Sequence, residues 1–500
     1  MNSRPADNPE ANSLRRRVAE LLVLRASGHL SDPQRRYPQW ELPNHELQRL
    51  LQEGVGGVIL LGGSAVELQQ RTQQLQGWSN QRLLFCADVE EGVGQRFEGA
   101  SWLVPPLALG RLYQQDPELA LALSERYGRC TGEQARRCGL NWVLGPVCDV
   151  NNNPANPVIN VRAWGEDPNT ASSLAVAFLR GLKQAGVLGC AKHFPGHGDT
   201  TSDSHIDLPV LPHSRERLEQ IELPPFRAAI AAGVESVMTA HLVLPDLDPQ
   251  QPATLSKAVL TDLLRQQMGF NGLVVTDALV MEAISARHGA AEAAVLAFEA
   301  GADLILMPAD ADAAIDGLCA GFNSGRLPIE RLQQSRQRRA DALASIPDSA
   351  PTGPIVSADE QAIEAELVRH SITVGDAEVL PQAGINLVRV DAVVPSAAVL
   401  SGWSPALRIP ETQGFRSMVV HGEGLSPWSS QPEAPLALDR LGDGPVLLQL
   451  FLRGNPFRAG RDAQEPWAAA IQQLVALNRL AGVVVYGSPY LWDSLKPLLP

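Results

Sequence analysis

From Lys192 to His205 the chain reads Lys-His-Phe-Pro-Gly-His-Gly-Asp-Thr-Thr-Ser-Asp-Ser-His. Three histidines, a lysine and two aspartates within fourteen residues are far too polar for a core element. Pro195, Gly196 and Gly198 mark an irregular loop, the kind of segment on which catalytic and binding groups concentrate. The apolar run 187–191 before it reads as a buried strand that ends where the charges begin. A second segment, Gly-Phe-Asn-Gly-Leu-Val-Val-Thr-Asp-Ala-Leu at 269–279, closes an apolar strand on Asp277. A strand-terminal aspartate is also an ordinary helix N-cap, so Asp277 gains chemical meaning through the loop.

Together the two segments suggest glycoside cleavage. A retaining mechanism needs a carboxylate nucleophile on one side of the anomeric carbon, and across from it a proton donor that later acts as a base. Asp277 suits the first role. His205 suits the second, because an imidazole of pKa about 6.5 exchanges a proton near neutrality. Asp203, two residues earlier, suits holding the other ring nitrogen and fixing its tautomer. A competing reading makes His193, His197, Asp199, Asp203 and His205 ligands of zinc or a similar ion. These residues match no ligand spacing of a known fold, and Lys192 would sit as a cation beside the ion. No metal and no cofactor is expected. His197, between two glycines, suits pinning the shape of the loop.

The elements that must carry these groups follow from apolar periodicity. Strands are predicted at 21–25, 57–61, 83–88, 141–146, 188–193, 236–241, 273–277 and 303–307. Helical patterns lie between most of them, as at 118–137, 172–184, 215–232 and 258–268. Eight strands alternating with helices predict a TIM-type (β/α)8 barrel or a doubly wound open sheet. Asp88, Lys192 with His193, His241 and Asp277 all fall at the C-terminal ends of their strands. A closed barrel gathers those ends at one mouth, whereas an open sheet leaves some far from its switch point. The barrel is the better reading.

A helix at 330–344 gives way to a Pro/Ser/Gly-rich stretch, read as a linker. Beyond it come strands at 385–390, 445–451 and 481–485 and a helix at 467–479, a smaller α/β domain. The expected layout is a catalytic barrel over 1–345, a linker over 346–355 and a sandwich-like α/β domain over 356–500.

A formal net charge of -14 argues against nucleic acid or an anionic membrane as partner. The first residues lack the apolar core of a secretory signal, and no run approaches the ~18 apolar residues of a membrane span. Six scattered cysteines form no CxxC pair, which fits free thiols in a reducing cytoplasm rather than a zinc or disulfide framework.

The run 192–198 with Asp203-Ser204-His205 resembles the signature of glycoside hydrolase family 3, in its β-N-acetylglucosaminidase branch. The 269–277 segment resembles that family's nucleophile motif. Further likenesses follow in motif order between about Leu51 and Pro308. They are Ala87-Asp88-Val89-Glu90-Glu91-Gly92, Gly145-Pro146-Val147-Cys148-Asp149-Val150 and Arg162-Ala163-Trp164-Gly165. The resemblance implies Asp277 as nucleophile, His205 as acid/base and Asp203 as its dyad partner. It implies Asp88, Arg96, Arg162, Lys192 and His193 as the groups that hold the non-reducing-end sugar through its hydroxyls. The implied substrates are small carbohydrates, N-acetylglucosaminides and muropeptides from cell-wall peptidoglycan.

The chain departs from many relatives at Ala278, where they carry a second acid, at Glu91, where they carry glycine, and at Trp164, where they carry Phe. Alternatives within the family are a β-glucosidase or β-xylosidase, whose acid/base usually comes from the second domain, and a phosphorylase. A neutral histidine repels incoming phosphate less than a carboxylate does. A non-catalytic sugar-binding protein is the reading from another class, and the intact Asp277, Asp203 and His205 speak against it.

Overall fold

A computed structural model describes residues 9–200, 208–349, 351–375, 383–390, 403–420, 426–452 and 465–500. Eight short parallel strands lie in the first part: β1 Leu22–Ser27, β2 Gly57–Leu61, β3 Leu84–Ala87, β4 Trp142–Val143, β5 Cys190–Phe194, β6 Ser236–Thr239, β7 Leu273–Val275 and β8 Ile305–Leu306. Their hydrogen-bonded order is β4-β3-β2-β1-β8 and β5-β6-β7. Parallel bridges at Trp142–Leu188 and Val147–Lys192 join β4 to β5, and one at Val275–Leu304 joins β7 to β8. The ring is thereby closed, a TIM-type (β/α)8 barrel as expected. Its strands are apolar without alternation because both faces are covered, one by the barrel interior and one by helices.

Local chemistry sets where the helices start and stop. Asp116 and Asp167 accept from the first-turn amides of Pro117–Arg137 and Pro168–Ala185, and each helix opens on a proline that has no N–H to leave unpaired. Gly186, at φ +74°, ends the second of these in the left-handed region that a side chain resists. The turn then feeds β5 directly, so this cap helps aim the Lys192 loop.

At the other end of the barrel, fully buried Asp303 leads into β8. It is held by Arg265, by Arg338 at 2.9 Å, by Ser335 at 2.7 Å and by the amide of Val274 at 3.0 Å. Burial alone would raise this carboxyl, but Arg265, Arg338 and Arg331 outweigh it and keep its pKa below the ordinary value.

The chain divides into compact units after Ile372, not at 346–355. The reason is specific. Arg82 and Arg136 both donate to the carbonyl of Pro347, at 3.2 and 3.3 Å, and Arg82 also to that of Ile346. The helix Ala358–Ser371 follows, and its Glu360 pairs with Arg137 at 2.8 Å. The Pro-rich stretch is therefore strapped to the first unit by these bonds.

The second unit, Thr373–Pro500, holds a parallel sheet of β9 Gly384–Val390, β10 Phe415–Val420, β11 Val446–Leu452 and β12 Leu480–Gly487 in the order β10-β9-β11-β12. Leu387, Leu448, Leu450, Trp467 and Ile471 form its core. It is the smaller α/β domain that the sequence suggests. Among the described residues no helix is long and apolar enough to cross a membrane. All six cysteines are free, and all but Cys319 are buried.

Candidate active site

The loop after β3 carries Asp88 and Glu90, and β5 carries Lys192. The lysine is 1% exposed, and its Nζ lies 2.7 Å from Asp88 Oδ1 and 2.6 Å from Glu90 Oε1. Arg162, from the short helix Asn160–Arg162, grips Glu90 with a two-pronged contact, 2.8 Å on each side. Arg96 donates through Nε to the backbone carbonyl of Asp88 at 3.0 Å. Asp88, Arg96, Arg162 and Lys192 thus come together as the sequence suggests, around an organising group that it does not single out. Glu90 stands in the quoted Asp88–Gly92 motif, and its burial beside two cations is what marks it.

Lys192 and Arg162 face the two carboxylates of Asp88 and Glu90, and Arg96 adds a third cation beside Asp88. Burial opposes every charge, yet Lys192 is raised above its ordinary pKa by Asp88 and Glu90. Glu90 is held well below its own by Arg162 and Lys192, again against the cost of burial. Charged groups held in fixed positions make strong hydrogen bonds to neutral hydroxyls.

His193, also on β5, is turned by a second residue that sequence reasoning passes over. Asp149, fully buried after β4, accepts from His193 Nδ1 at 2.8 Å, from His193 N at 3.2 Å and from His197 N at 2.7 Å. Nδ1 therefore carries the proton, and Nε2 has no partner among the described residues. His197 packs edge-on to His193 and bonds Thr200 Oγ1 at 2.7 Å, and burial lowers its pKa to about 4. It is a neutral structural histidine.

The two glycines of the loop are demanded by close approach. A Cβ on Gly198 would meet the carbonyl oxygen of Val150 at 1.8 Å, and one on Gly196, at φ +133°, would meet Glu222. Asp203 and His205 lie outside the described residues.

Asp277 follows β7, which stands across the eight-strand ring from β3. It is partly exposed. Its amide donates to Thr239 Oγ1 at 3.3 Å, and its Oδ1 accepts from Ala278 N at 2.7 Å. His241, fully buried after β6, donates from Nε2 to the carbonyl of Ala278 at 3.0 Å, with Nδ1 2.8 Å from Thr254 Oγ1. So His241 braces the backbone that presents Asp277. The arrangement offers a carboxylate on one side of the mouth and a clamp of charged donors and acceptors on the other.

Asp199, His213 and Glu222 present possible metal-ligand atoms within 4.8 Å of one another. Arg217 already donates to both carboxylates there, at 3.3 Å to Asp199 and 2.8 Å to Glu222. A divalent ion would have to displace that cation, which makes the cluster a poor metal site.

Known proteins are similar to this chain in sequence and in fold. Residues 13–341 match the glycosyl hydrolase family 3 N-terminal domain, and residues 380–500 match the bacterial glycosyl hydrolase family 3 C-terminal domain. A β-hexosaminidase of Neisseria meningitidis serogroup A is 35% identical over 332 residues, covering 65% of this chain and 90% of that protein. One from Stenotrophomonas maltophilia K279a is 35% identical over 271 residues, covering 53% of this chain and 80% of the relative. The solved family 3 β-N-acetylglucosaminidase of Paenibacillus sp. FPU-7 superposes with a TM-score of 0.79 at 29% identity, covering 97% of this chain and 92% of that one. With its barrel and its second domain each accounted for by that family, the chain belongs to glycosyl hydrolase family 3 and is a glycoside hydrolase.

Proposed function

We propose that the protein is a retaining β-N-acetylglucosaminidase that removes terminal N-acetylglucosamine from peptidoglycan fragments such as muropeptides. The observation that carries this reading is the Asp88–Lys192–Glu90–Arg162 clamp across the barrel mouth from Asp277. The named β-hexosaminidases and the Paenibacillus enzyme supply the sugar.

In the first step an Asp277 carboxylate oxygen bonds to the anomeric carbon as the glycosidic C–O bond breaks. The leaving oxygen takes a proton from His205, whose ring Asp203 orients. In the second step His205 removes a proton from water, the water oxygen attacks the same carbon, and Asp277 departs as carboxylate. Asp88, Arg96, Arg162, Lys192 and His193 hold the sugar hydroxyls in both steps. Two inversions restore the β configuration. The residues named in these steps all belong to the first unit. Free, mostly buried thiols agree with work in a reducing cytoplasm.

The test is a panel of matched aryl β-glycosides with the anomer of the first product read by NMR. N-acetylglucosaminide turnover exceeding glucoside and xyloside turnover, with β product formed first, is the expected result. A faster glucoside, or α product, overturns the reading, and sugar 1-phosphate formed in phosphate buffer makes the enzyme a phosphorylase. A disaccharide of N-acetylglucosamine and anhydromuramic acid, with and without its peptide, tests the natural substrate.

A further inference from the structure

Three fully buried polar side chains beside Asp277 take no part in the proposed steps. Thr239 ends β6, His241 follows two positions later, and Thr254 lies on the short helix Ala253–Leu255. β6 pairs Met238 with Val275 of β7, and beyond that pair Thr239 and His241 both reach the Asp277–Ala278 step. The chain after β6 folds back on itself. Ala253 N donates to the carbonyl of Leu242 at 2.8 Å, and Ser256 Oγ donates to Asp248 at 2.7 Å. That return brings Thr254 Oγ1 to 2.7 Å from Thr239 Oγ1 and 2.8 Å from His241 Nδ1.

A threonine hydroxyl has one hydrogen to give, and this sets the direction of each bond. His241 Nε2 lies 3.0 Å from the Ala278 carbonyl, which only accepts, so Nε2 carries a hydrogen. Burying an imidazole at 0% exposure costs far less when the ring is neutral, which leaves Nδ1 as an acceptor. Thr254 Oγ1 is also 3.0 Å from the carbonyl of Ala240, and against a neutral ring its hydrogen goes to Nδ1. Thr254 then accepts from Thr239, and Thr239 accepts from the amide of Asp277 at 3.3 Å. The bonds run in one direction, from Asp277 N–H through Thr239, Thr254 and His241 to the Ala278 carbonyl. Both ends rest on the dipeptide whose Ala278 amide holds Asp277 Oδ1 at 2.7 Å.

We propose that Thr239, Thr254 and His241 form a directed hydrogen-bond circuit that fixes the Asp277–Ala278 peptide, and with it the Asp277 carboxylate, for attack on the anomeric carbon. They are positioning residues, and the inference rests on the reading of Asp277 as nucleophile. Bonds in such a chain polarise one another. Breaking one link frees the imidazole to change tautomer and release the Ala278 carbonyl. A carboxylate moved by about 1 Å from its line of attack loses about 100-fold in rate.

Thr254→Val and Thr254→Ser separate this role from packing. The first keeps the volume and removes the hydroxyl, and the second keeps the hydroxyl and removes a methyl group. Both are compared with wild type on aryl N-acetylglucosaminides that carry dinitrophenyl and methylphenyl leaving groups. The rate and place of covalent labelling by a 5-fluoro derivative of N-acetylglucosaminyl fluoride are read on the same proteins. Melting temperature and the Ki of N-acetylglucosamine serve as controls.

Expected for Thr254→Val is a loss of about 10- to 100-fold in kcat/KM on both substrates, with slower labelling of Asp277 and an unchanged Ki. Thr254→Ser should stay within about threefold of wild type. NMR of 15N-histidine-labelled wild type should show the His241 ring, identified by its shift in Thr254→Ser, with hydrogen on Nε2 alone. That measurement on the wild type decides the direction of the bonds even where Thr254→Val fails to fold.

Thr254→Val with wild-type kinetics, or Thr254→Ser losing as much as Thr254→Val, would reduce Thr254 to packing and overturn the circuit. A His241 ring protonated on Nδ1 would overturn it as well. In each of these cases a label on Asp277 leaves the nucleophile assignment standing. A wild-type label on any other residue takes down both.

Discussion

Glu90 and Lys192 meet at 2.6 Å with 3% and 1% of their surfaces exposed, so the site is organised by an ion pair that solvent barely reaches. A buried pair of this kind adds little net stability, because desolvation offsets attraction, but deleting one partner leaves the other charge stranded. Glu90→Gln strands Arg162 and leaves Lys192 with Asp88 as its only carboxylate in the clamp. The expected result is a fall in kcat/KM of about 100-fold, with KM raised, in a protein that still folds. Steady-state kinetics checks it, and an unchanged kcat/KM would remove Glu90 from the clamp.

The Asp277 carboxylate is assigned the covalent step. Asp277→Gly should lower turnover by at least about a thousandfold, and added azide should restore part of it by entering the vacated face. The azide product should then be the α-glycosyl azide, identified by NMR. Rescue through a β-azide, or wild-type turnover, would place the nucleophile elsewhere.

The pH response of stability has a sign that His197 sets. Burial depresses its pKa from 6.5 to about 4. Between those values the unfolded chain binds a proton that the native state refuses. Stability from this group is therefore full above about pH 6.5 and declines as pH falls toward about 4, by up to about 1.4 kcal/mol per pH unit. Urea midpoints of wild type and His197→Gln between pH 4.5 and 7 measure it. The wild-type curve should slope more steeply, and parallel curves would show that His197 does not titrate this way.

Asp303 is expected to matter for folding and not for chemistry. Its pKa is held low, so its stabilising contribution is present above the unfolded value near 3.8 and disappears as pH drops through the folded value. Asp303→Asn leaves Arg265, Arg331 and Arg338 facing one another and should cost about 3–5 kcal/mol. Because it precedes β8, at the opposite end of the barrel from the mouth, kcat at 25 °C should stay within about twofold. Chemical denaturation and a kinetic assay on the same preparation test both halves.

Much of this was readable from residues alone. Each of the eight barrel strands is an apolar run bounded by turn residues, and the charges that close them fall at one mouth. Asp88, Arg96, Arg162 and Lys192 share one cluster, and His193, next in the chain after Lys192, is held by Asp149. Glu90 and Asp149 were not legible as organisers, since an acidic residue after a strand looks alike whether it is solvated or buried. Their roles depend on a lysine and a histidine far along the chain, at 192 and 193. The strand β10 Phe415–Val420 hid because Arg416 and Ser417 interrupt its apolar pattern. The bonds made by the Pro-rich stretch were not legible for a related reason: arginines distant in sequence, Arg82 and Arg136, hold its carbonyls.

The most direct measurement is peptide mapping after trapping with a 5-fluoro derivative of N-acetylglucosaminyl fluoride, which slows release of the glycosyl-enzyme. A mass increment of one fluorosugar on the peptide bearing Asp277 is the expected outcome. A label on any other residue, or full inactivation with no covalent adduct, would contradict a glycosyl-aspartate at the end of β7.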